Sequence, residues 1–220
     1  MKPSSDSYYK VRYKEESQRD WIWQQISQFF LSHDSLAPSA AVLEMGAGYG
    51  SWIRSIPSPN KQALDLNPAI AEIFKTRGIL DVKTRHGSCV DLKFVSEASL
   101  DLVLASNLLE HLEWPEIDQC LAEVLRVLKP GGSLWIVQPN FSYCYRNYFD
   151  DYTHRTIFTH HSLADLLASK GFQLSKVWPK FLPYSMKSKL SLFAFLIPIY
   201  LRSPFKPMAG QMALIAKKEK

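Results

Sequence analysis

The stretch Val42-Leu43-Glu44-Met45-Gly46-Ala47-Gly48-Tyr49-Gly50 decides the fold class of this chain. An apolar run that passes directly into closely spaced glycines is typical of a β-strand followed by a tight turn, where the backbone lies against a ligand. Glu44 stands near the end of this run, and Asp65 ends the next apolar run about twenty residues further on, where nucleotide-binding crossovers carry a ribose-binding acid. The stretch therefore predicts a nucleotide-type ligand at the end of a strand.

Short apolar runs alternate with helical patterns along the rest of the chain. The predicted strands cover residues 40–44, 62–66, 79–84, 100–105, 133–138, 172–178 and 211–217. Apolar residues at helical spacing predict helices over 18–31, over 161–170 and from Pro115 to Leu128, the last of these closed by Gly131 and Gly132. This alternation indicates an α/β fold with a largely parallel sheet, whose ligands bind beyond the carboxyl ends of the strands.

Length and composition indicate one globular domain, because the 220 residues are 46% hydrophobic and 21% charged. Within this single domain, 1–220, we expect four parts: an N-terminal arm and helix (1–38), a cofactor-binding core (39–178), a basic and apolar insertion that could cap an acceptor (179–209), and a last strand (210–217). The start of the chain has no secretory pattern, and the three cysteines have no zinc spacing. We therefore expect a cytoplasmic protein with reduced thiols and no metal site.

The spacing of the glycines distinguishes between two kinds of ligand. A dinucleotide loop reads G-x-G-x-x-G and brings a helix N-terminus to a pyrophosphate. Here the loop reads G-x-G-x-G, and Glu44 precedes it. S-adenosylmethionine has no phosphate and carries a cationic sulfonium and an ammonium group. Because an acidic loop attracts these cations and repels a pyrophosphate, the loop favours S-adenosylmethionine.

Four motifs in order resemble those of class I S-adenosylmethionine-dependent methyltransferases of the type-11-like group. They are Val42 to Gly50, Ala63-Leu64-Asp65-Leu66-Asn67-Pro68, Leu100 to Leu112 with its Leu109-Glu110-His111-Leu112 ending, and Val124 to Leu134 with its Lys129-Pro130-Gly131-Gly132 turn. The resemblance covers about residues 40–177. It implies a Rossmann-like, doubly wound sheet of seven mostly parallel strands, the last one antiparallel, with helices on both faces. It also implies an enzyme that uses S-adenosylmethionine and releases S-adenosylhomocysteine.

The resemblance assigns cofactor contacts residue by residue. Glu44 and the loop residues Gly46, Ala47, Gly48 and Gly50 would cradle the methionine portion. Asp65 would bind both ribose hydroxyls, Leu66 would lie against the adenine, and Asn107 would face the methionine amino group and the transferable methyl. One position departs from the family, which carries an aspartate where this chain has Ser88, beside Cys89. A serine hydroxyl accepts a hydrogen bond without a charge, so we expect a weaker contact to the adenine amino group.

The acceptor side is predicted from residues 138–155, which follow the fifth strand and are rich in aromatic side chains. Aromatic faces beside carboxylates and hydroxyls are a common way to bind a sugar. His154 with Asp150 or Asp151 could form an oriented base, and His111 is a further catalytic candidate. The segment favours O-methylation of a small acceptor, most of all a sugar or a glycan precursor.

The C-terminal part is basic and contains the apolar run 190–201. It loosely resembles methyltransferases encoded with bacterial surface-glycan enzymes. The run is shorter than the roughly 20 apolar residues of a spanning helix. It is predicted to cover the acceptor pocket, to form a dimer face, or to bring residues 180–206 into peripheral contact with the inner membrane face. The oligomeric state stays open.

Other functions stay open at this point. Transfer to nitrogen or carbon of another small metabolite fits the same cofactor site. A non-catalytic S-adenosylmethionine-binding module is motivated by Ser88. An RNA methyltransferase is motivated by the net charge of +5, but the chain shows no appended RNA-binding domain and no N-P-P-Y tetrapeptide. No nucleic-acid partner is therefore expected.

Overall fold

The computed structural model describes residues 17–184 and 195–219. These residues form seven strands: β1 (Ala41–Met45), β2 (Asn60–Asp65), β3 (Val82–His86), β4 (Leu100–Ser106), β5 (Leu128–Pro139), β6 (Phe172–Pro183) and β7 (Ala209–Lys218). The α-helices are α1 (Ser17–Leu31), α2 (Ile70–Thr76), α3 (Trp114–Val127), α4 (Phe141–Cys144), α5 (His160–Ser169) and α6 (Ile197–Arg202). Short 3₁₀ helices span Ile53–Ser55, Leu109–His111 and Tyr148–Asp150.

All seven strands belong to one sheet in the order β3-β2-β1-β4-β5-β7-β6. Strands β1 to β5 pair in parallel, whereas β7 runs antiparallel to both of its neighbours. The prediction of a Rossmann-like, mostly parallel sheet with an antiparallel last strand is confirmed. The strand order reverses between β1 and β4, and the crevice at such a switch point is where ligands bind in open α/β sheets.

Helices cover both faces of the sheet. Successive side chains of β5 point to opposite faces, so neighbouring residues of this strand belong to two different cores. Trp135 packs with Ile26 and Phe30 of α1, and the rings of Phe30 and Trp135 stack with centroids 4.8 Å apart. On the other face, Ile136 belongs to the core formed with α3 and α5, which includes Leu121. The two cores hold the sheet rigidly, so the strand ends can position a site.

The predicted end of the helix from Pro115 to Leu128 is confirmed to within one residue, but the role predicted for Gly131 and Gly132 is wrong. Helix α3 ends at Val127, and β5 begins at once at Leu128, so Gly131 and Gly132 lie within the strand instead of closing the helix. The pairing of β4 and β5 has a register shift here, and a Cβ on Gly132 would come within 2.9 Å of the Lys129 carbonyl oxygen. Glycine is needed at this irregularity because two backbones approach closely.

Other strand bounds differ from the predicted ones by a few residues. Strand β2 begins at Asn60, β3 spans Val82–His86, and β6 continues past Trp178 to Pro183. The predicted N-terminal arm before residue 17 lies outside the described residues, as does the 185–194 part of the apolar C-terminal segment. Among the helices of the described ranges, none is both long and apolar enough to cross a membrane.

The turn after α1 is joined to the sheet through a buried carboxylate, Asp34. Its two oxygens accept hydrogen bonds from the indole nitrogen of Trp135 and the ammonium of Lys217, each at 2.7 Å. Burial by itself raises the pKa of Asp34, but the hydrogen bonds from Lys217, Ser133 and Trp135 outweigh it and bring the pKa below the ordinary value of 3.8. Asp34 is therefore charged and stabilising at neutral pH.

We expect Asp34→Ala to lower the free energy of unfolding by about 2 kcal/mol, because the buried indole N–H of Trp135 loses its partner. The measurement is urea unfolding at pH 7, with the exposed Ser35→Ala as the control. Since folding lowers the pKa of Asp34, its contribution is lost as the pH falls from the ordinary pKa through the folded one. The difference between wild type and variant should therefore shrink in acid, and a pH-independent difference would contradict the assignment.

Candidate cofactor and acceptor site

The glycine loop leaves β1 and folds against the end of β2. The backbone N–H groups of Gly46 and Ala47 both donate to the carbonyl of Leu64, at 2.8 and 3.1 Å. The N–H of Gly50 donates to the Ala47 carbonyl at 2.8 Å and closes the turn. Gly46, Gly48 and Gly50 all have positive φ, so the loop follows a path that side chains rarely allow.

Asp65, at the end of β2, organises the two turns beside it. One carboxylate oxygen accepts a hydrogen bond from the Gly48 N–H at 2.7 Å, and the other accepts one from the Asn67 N–H at 2.8 Å. The side chain is buried. Each carboxylate oxygen can accept more than one hydrogen bond, so Asp65 retains acceptor capacity for the two hydroxyls of a ribose.

Glu44 places a second carboxylate beneath the loop. It is buried, and it accepts a hydrogen bond from the Ile53 N–H at 3.0 Å, which holds the first turn after the loop. Burial raises the pKa of Glu44 well above its ordinary value, and nearby Asp65 raises it further, whereas Arg19 lowers it. A cation beside Glu44 would stabilise its charged form. The site therefore favours an ammonium group and disfavours a phosphate.

The glycine loop is open at Gly48, and the side chains at the neighbouring strand ends suit S-adenosylmethionine. A Cβ built on Gly48 meets nothing within 4 Å, so this part of the loop faces open space. Leu66, directly after β2, is 54% exposed and offers an apolar face for a base. Asn107 follows β4 with a φ of 47°, and its side-chain oxygen lies 3.5 Å from the amide nitrogen of Gln211. Glu44, Asp65, Leu66 and Asn107 thus surround the carboxyl ends of β1, β2 and β4, as expected for S-adenosylmethionine.

Ser88 and Cys89, where the sequence departs from the family pattern, differ in their burial. Ser88 is half-buried, and its hydroxyl lies 3.4 Å from the N–H of Val90. The Cys89 side chain is buried in the core beneath the site, in the same apolar cluster as Cys120, and both cysteines are free thiols. Any contact of Cys89 with a cofactor would therefore come from its backbone.

On the acceptor side, the structure brings the three predicted catalytic residues together. The rings of His111 and His154 lie 4.9 Å apart. Nδ1 of His154 donates to the Tyr148 carbonyl at 2.7 Å, and Nδ1 of His111 lies 3.0 Å from the Thr153 hydroxyl. That hydroxyl in turn donates to Asp151 at 2.6 Å. Because both rings are held through Nδ1, the neutral form of each places its lone pair on Nε2.

Glu110 is a functional candidate that the sequence patterns did not single out. It is 0% exposed, and neither carboxylate oxygen has a hydrogen-bond partner among the described residues. Burial raises the pKa of Glu110 to about 8, and the neighbouring charge of Asp151 adds to the effect. The backbone carbonyl of Glu110 accepts hydrogen bonds from the N–H groups of Arg155 and Thr156, which fastens the histidine loop to the end of β4. The feature of the sequence that could have pointed to Glu110 is its position as a charged residue among the leucines of the turn from Leu108 to Leu112.

The ring of Tyr148 lies against that of His154, with centroids 4.5 Å apart, and other aromatic side chains of the same segment face outward. Those exposed to solvent are Tyr143, Tyr145, Phe149 and Tyr152. A cavity of about 590 Å³ beside β6 reaches Tyr143 and has Phe29 and Trp178 on its walls together with the cations Lys180, Arg202 and Lys206, but none of the three predicted catalytic residues lines it. The region thus combines ring faces with positive charge.

The comparisons with known proteins agree with this geometry. The family model of the methyltransferase domain matches residues 42–132. A Mycolicibacterium smegmatis protein described as a probable S-adenosylmethionine-dependent methyltransferase is 33% identical over 100 residues, which are 45% of this chain and 38% of that protein. The tRNA N(3)-methylcytidine methyltransferase trm140 of Schizosaccharomyces pombe is 27% identical over 126 residues, which are 52% of this chain and 41% of that protein.

In solved structures the same fold recurs over nearly the whole chain. A S-adenosylmethionine-dependent methyltransferase from Archaeoglobus fulgidus superposes with a TM-score of 0.66 at 19% identity, covering 96% of this chain and 98% of that one. Together, the family match over residues 42–132 and the strand order show that the chain has the fold of S-adenosylmethionine-dependent methyltransferases and is similar to them in its cofactor-binding part. The chain spans less than half the length of the curated relatives it matches.

Proposed function

We propose that this chain transfers a methyl group from S-adenosylmethionine to a hydroxyl group of a small acceptor, a sugar or glycan precursor. The observation that carries the proposal is the meeting of His111 and His154 at the sheet edge that also holds the glycine loop. Strands β1 and β4 are parallel neighbours, so their carboxyl ends, with the loop and with Asn107 to His111, face the same crevice. In this proposal the cofactor is bound by residues at the strand ends and in the glycine loop: Glu44, Gly46, Ala47, Gly48, Gly50, Asp65, Leu66, Ser88 and Asn107.

Transfer to oxygen needs a group that holds the acceptor hydroxyl and weakens its O–H bond. S-adenosylmethionine supplies an electrophilic methyl group when it is bound. The lone pair on Nε2 of His154 can accept the hydroxyl hydrogen, since Nδ1 is committed to the Tyr148 carbonyl. Asp151 keeps His111 oriented through Thr153. The histidine pair therefore activates the acceptor hydroxyl, and Asp151 positions the ring of His111.

The aromatic segment that carries His154 and the cationic cavity that Tyr143 lines support a sugar more than a purely apolar metabolite. Ring faces such as that of the 72% exposed Tyr152 stack on the C–H faces of sugars. Lys180 lies over the ring of Tyr143, with 4.7 Å between the ammonium and the ring centroid, and Arg202 lines the same cavity. These cations suit a phosphate on the acceptor, and the exposed Ile199 and Phe205 nearby suit a lipid carrier at the membrane surface. A cytoplasmic protein in peripheral membrane contact fits this acceptor.

A tRNA acceptor is the second candidate, because one relative is a tRNA methyltransferase. The net charge of +5 agrees with it. A protein that follows a phosphate backbone needs a basic stripe along one face, whereas Lys180, Arg202 and Lys206 lie together at one cavity. The small acceptor is therefore favoured.

The deciding experiment supplies methyl-labelled S-adenosylmethionine with three acceptor pools: free and lipid-linked sugars, amine metabolites, and bulk tRNA. We expect label in a sugar methyl ether, and about a 100-fold lower kcat for His154→Ala with unchanged S-adenosylhomocysteine affinity, because the histidine acts on the acceptor only. His161→Ala, which is exposed on α5, serves as the matched control.

Each other outcome of this experiment leads to a definite conclusion. Label in tRNA alone would establish the second candidate. Label in amines alone would move the activity to nitrogen. Tight S-adenosylhomocysteine binding without transfer to any of the three pools would favour a non-catalytic module. An unchanged kcat for His154→Ala would remove that residue from the proposed mechanism.

A further inference from the structure

The side chains of Glu110, His111 and His154 converge on one point. Each offers a ligand atom, and the three atoms all lie within 4.8 Å of one another. A carboxylate with two imidazoles is the ligand set of many catalytic zinc sites, which leave one coordination position for water or substrate. No spacing pattern along the sequence reveals such a site, because His111 and His154 are far apart in the chain and only the fold brings them together.

The isolation of the Glu110 carboxylate is a second, independent observation. A wholly buried carboxylate normally has hydrogen-bond donors, since burying one without a partner is costly. Both oxygens of Glu110 lack a partner among the described residues, although they lie beside two imidazoles. A bound cation would supply the missing interaction.

The histidines are oriented as metal ligands usually are. Metal-binding imidazoles donate the hydrogen of one ring nitrogen to a carbonyl or carboxylate system and coordinate through the other. His154 donates Nδ1–H to the Tyr148 carbonyl, and the Nδ1 of His111 contacts Thr153, whose hydroxyl is bound to Asp151. In this orientation Nε2 of each ring would be the nitrogen that coordinates the ion.

We propose that Glu110, His111 and His154 form a binding site for a divalent transition-metal ion of the zinc class, at the acceptor end of the crevice. Ligand atoms around zinc, at bonds of about 2.1 Å, are about 3.4 Å apart, so the ligand atoms, which lie within 4.8 Å of one another, must close by up to about 1.4 Å. Both histidines are half-buried, so the ion keeps an open side toward the crevice.

The role of this ion rests on the proposed methyl transfer, but its binding does not. An acceptor hydroxyl coordinated at the open position would have a lowered pKa and would become the better nucleophile. The two histidines would then act on the acceptor through the ion. Metal binding and cofactor binding are separate measurements, so either can fail without the other.

The test uses tag-free protein treated with EDTA and then titrated with Co²⁺, which reports its ligands through its visible absorption, followed by competition with Zn²⁺. We expect one ion per chain and a visible band without a thiolate charge-transfer band. Glu110→Gln and His154→Ala should each weaken binding by about 100-fold, whereas the control His161→Ala should leave it unchanged. Circular dichroism and S-adenosylhomocysteine binding verify that each variant is folded.

Three results would overturn the proposal. The first is folded protein that takes up neither ion. The second is an intense thiolate-to-cobalt band, which would place the ion on a cysteine. The third is unchanged affinity in Glu110→Gln. EDTA-treated protein that binds S-adenosylhomocysteine normally but transfers methyl at the full rate would leave the methyltransferase proposal intact and remove the proposed role of the ion.

Discussion

Asp65→Ala is expected to weaken S-adenosylhomocysteine binding by about 1000-fold. Hydrogen bonds to a charged group contribute about 1.5–3 kcal/mol each, so two bonds to the ribose hydroxyls amount to about 4 kcal/mol, or three factors of ten. The carboxylate also holds the N–H groups of Gly48 and Asn67, so its removal loosens both turns that meet the cofactor. Isothermal titration calorimetry measures the change directly.

The matched control for this variant is Asp165→Asn, on the exposed face of α5. It removes the same charge at a distance from the crevice and should leave the affinity unchanged. Asp65→Asn should fall between wild type and Asp65→Ala, because its amide oxygen can still accept one of the hydrogen bonds. Wild-type affinity in a folded Asp65→Ala protein would contradict the assigned ribose contact and, with it, the proposed cofactor geometry.

Gly50→Ala is expected to lower the free energy of unfolding by about 3 to 4 kcal/mol. A Cβ at this position would lie 2.5 Å from the Cζ atom of Phe74, whose ring is buried in the core between α2 and the loop. Overpacking of this kind costs about 1–3 kcal/mol, and the φ of 68° adds about 1–2 kcal/mol for a residue with a side chain. Urea unfolding followed by tryptophan fluorescence gives the difference.

Gly48→Ala separates the two causes of this destabilisation. Its φ of 51° imposes the backbone cost, but its Cβ meets nothing within 4 Å, so we expect a loss of only about 1 kcal/mol. The methyl group would project into the space assigned to the cofactor, so S-adenosylhomocysteine affinity should fall although the fold survives. Equal stability of the two variants would show that Phe74 yields without cost and would contradict the tight packing of this loop.

Most of the fold was predictable from the sequence because its signals are local. Apolar runs of strand length, broken by turn residues, located all seven strands to within a few residues, and the acid-glycine loop located the cofactor site between β1 and β2. The wrong prediction at Gly131 and Gly132 has a non-local cause. Their conformation depends on how β5 meets β4, and a glycine that serves a strand irregularity looks the same in sequence as one that ends a helix.

The acceptor side was less predictable. His111, Asp151 and His154 were selected for their chemical types, but their connection through Thr153 and Tyr148 depends on how the loop after β5 folds back on the end of β4. Cys89 was a candidate cofactor contact because it adjoins Ser88, and its side chain turns into the core. Sequence adjacency does not determine which way a side chain points in an irregular segment.

The sequence by itself determined the class of the protein and the cofactor, because these depend on short contiguous motifs whose backbone path only glycine permits and whose acids lie at strand ends. The tertiary structure decided what lies opposite the cofactor. The Glu110 carboxyl lacks a hydrogen-bond partner among the described residues and has a raised pKa because packing removes it from water and from donors. It lies close to His154 because the chain returns to the same edge of the sheet. Burial and long-range proximity are properties of the folded chain, and the proposed acceptor chemistry rests on them.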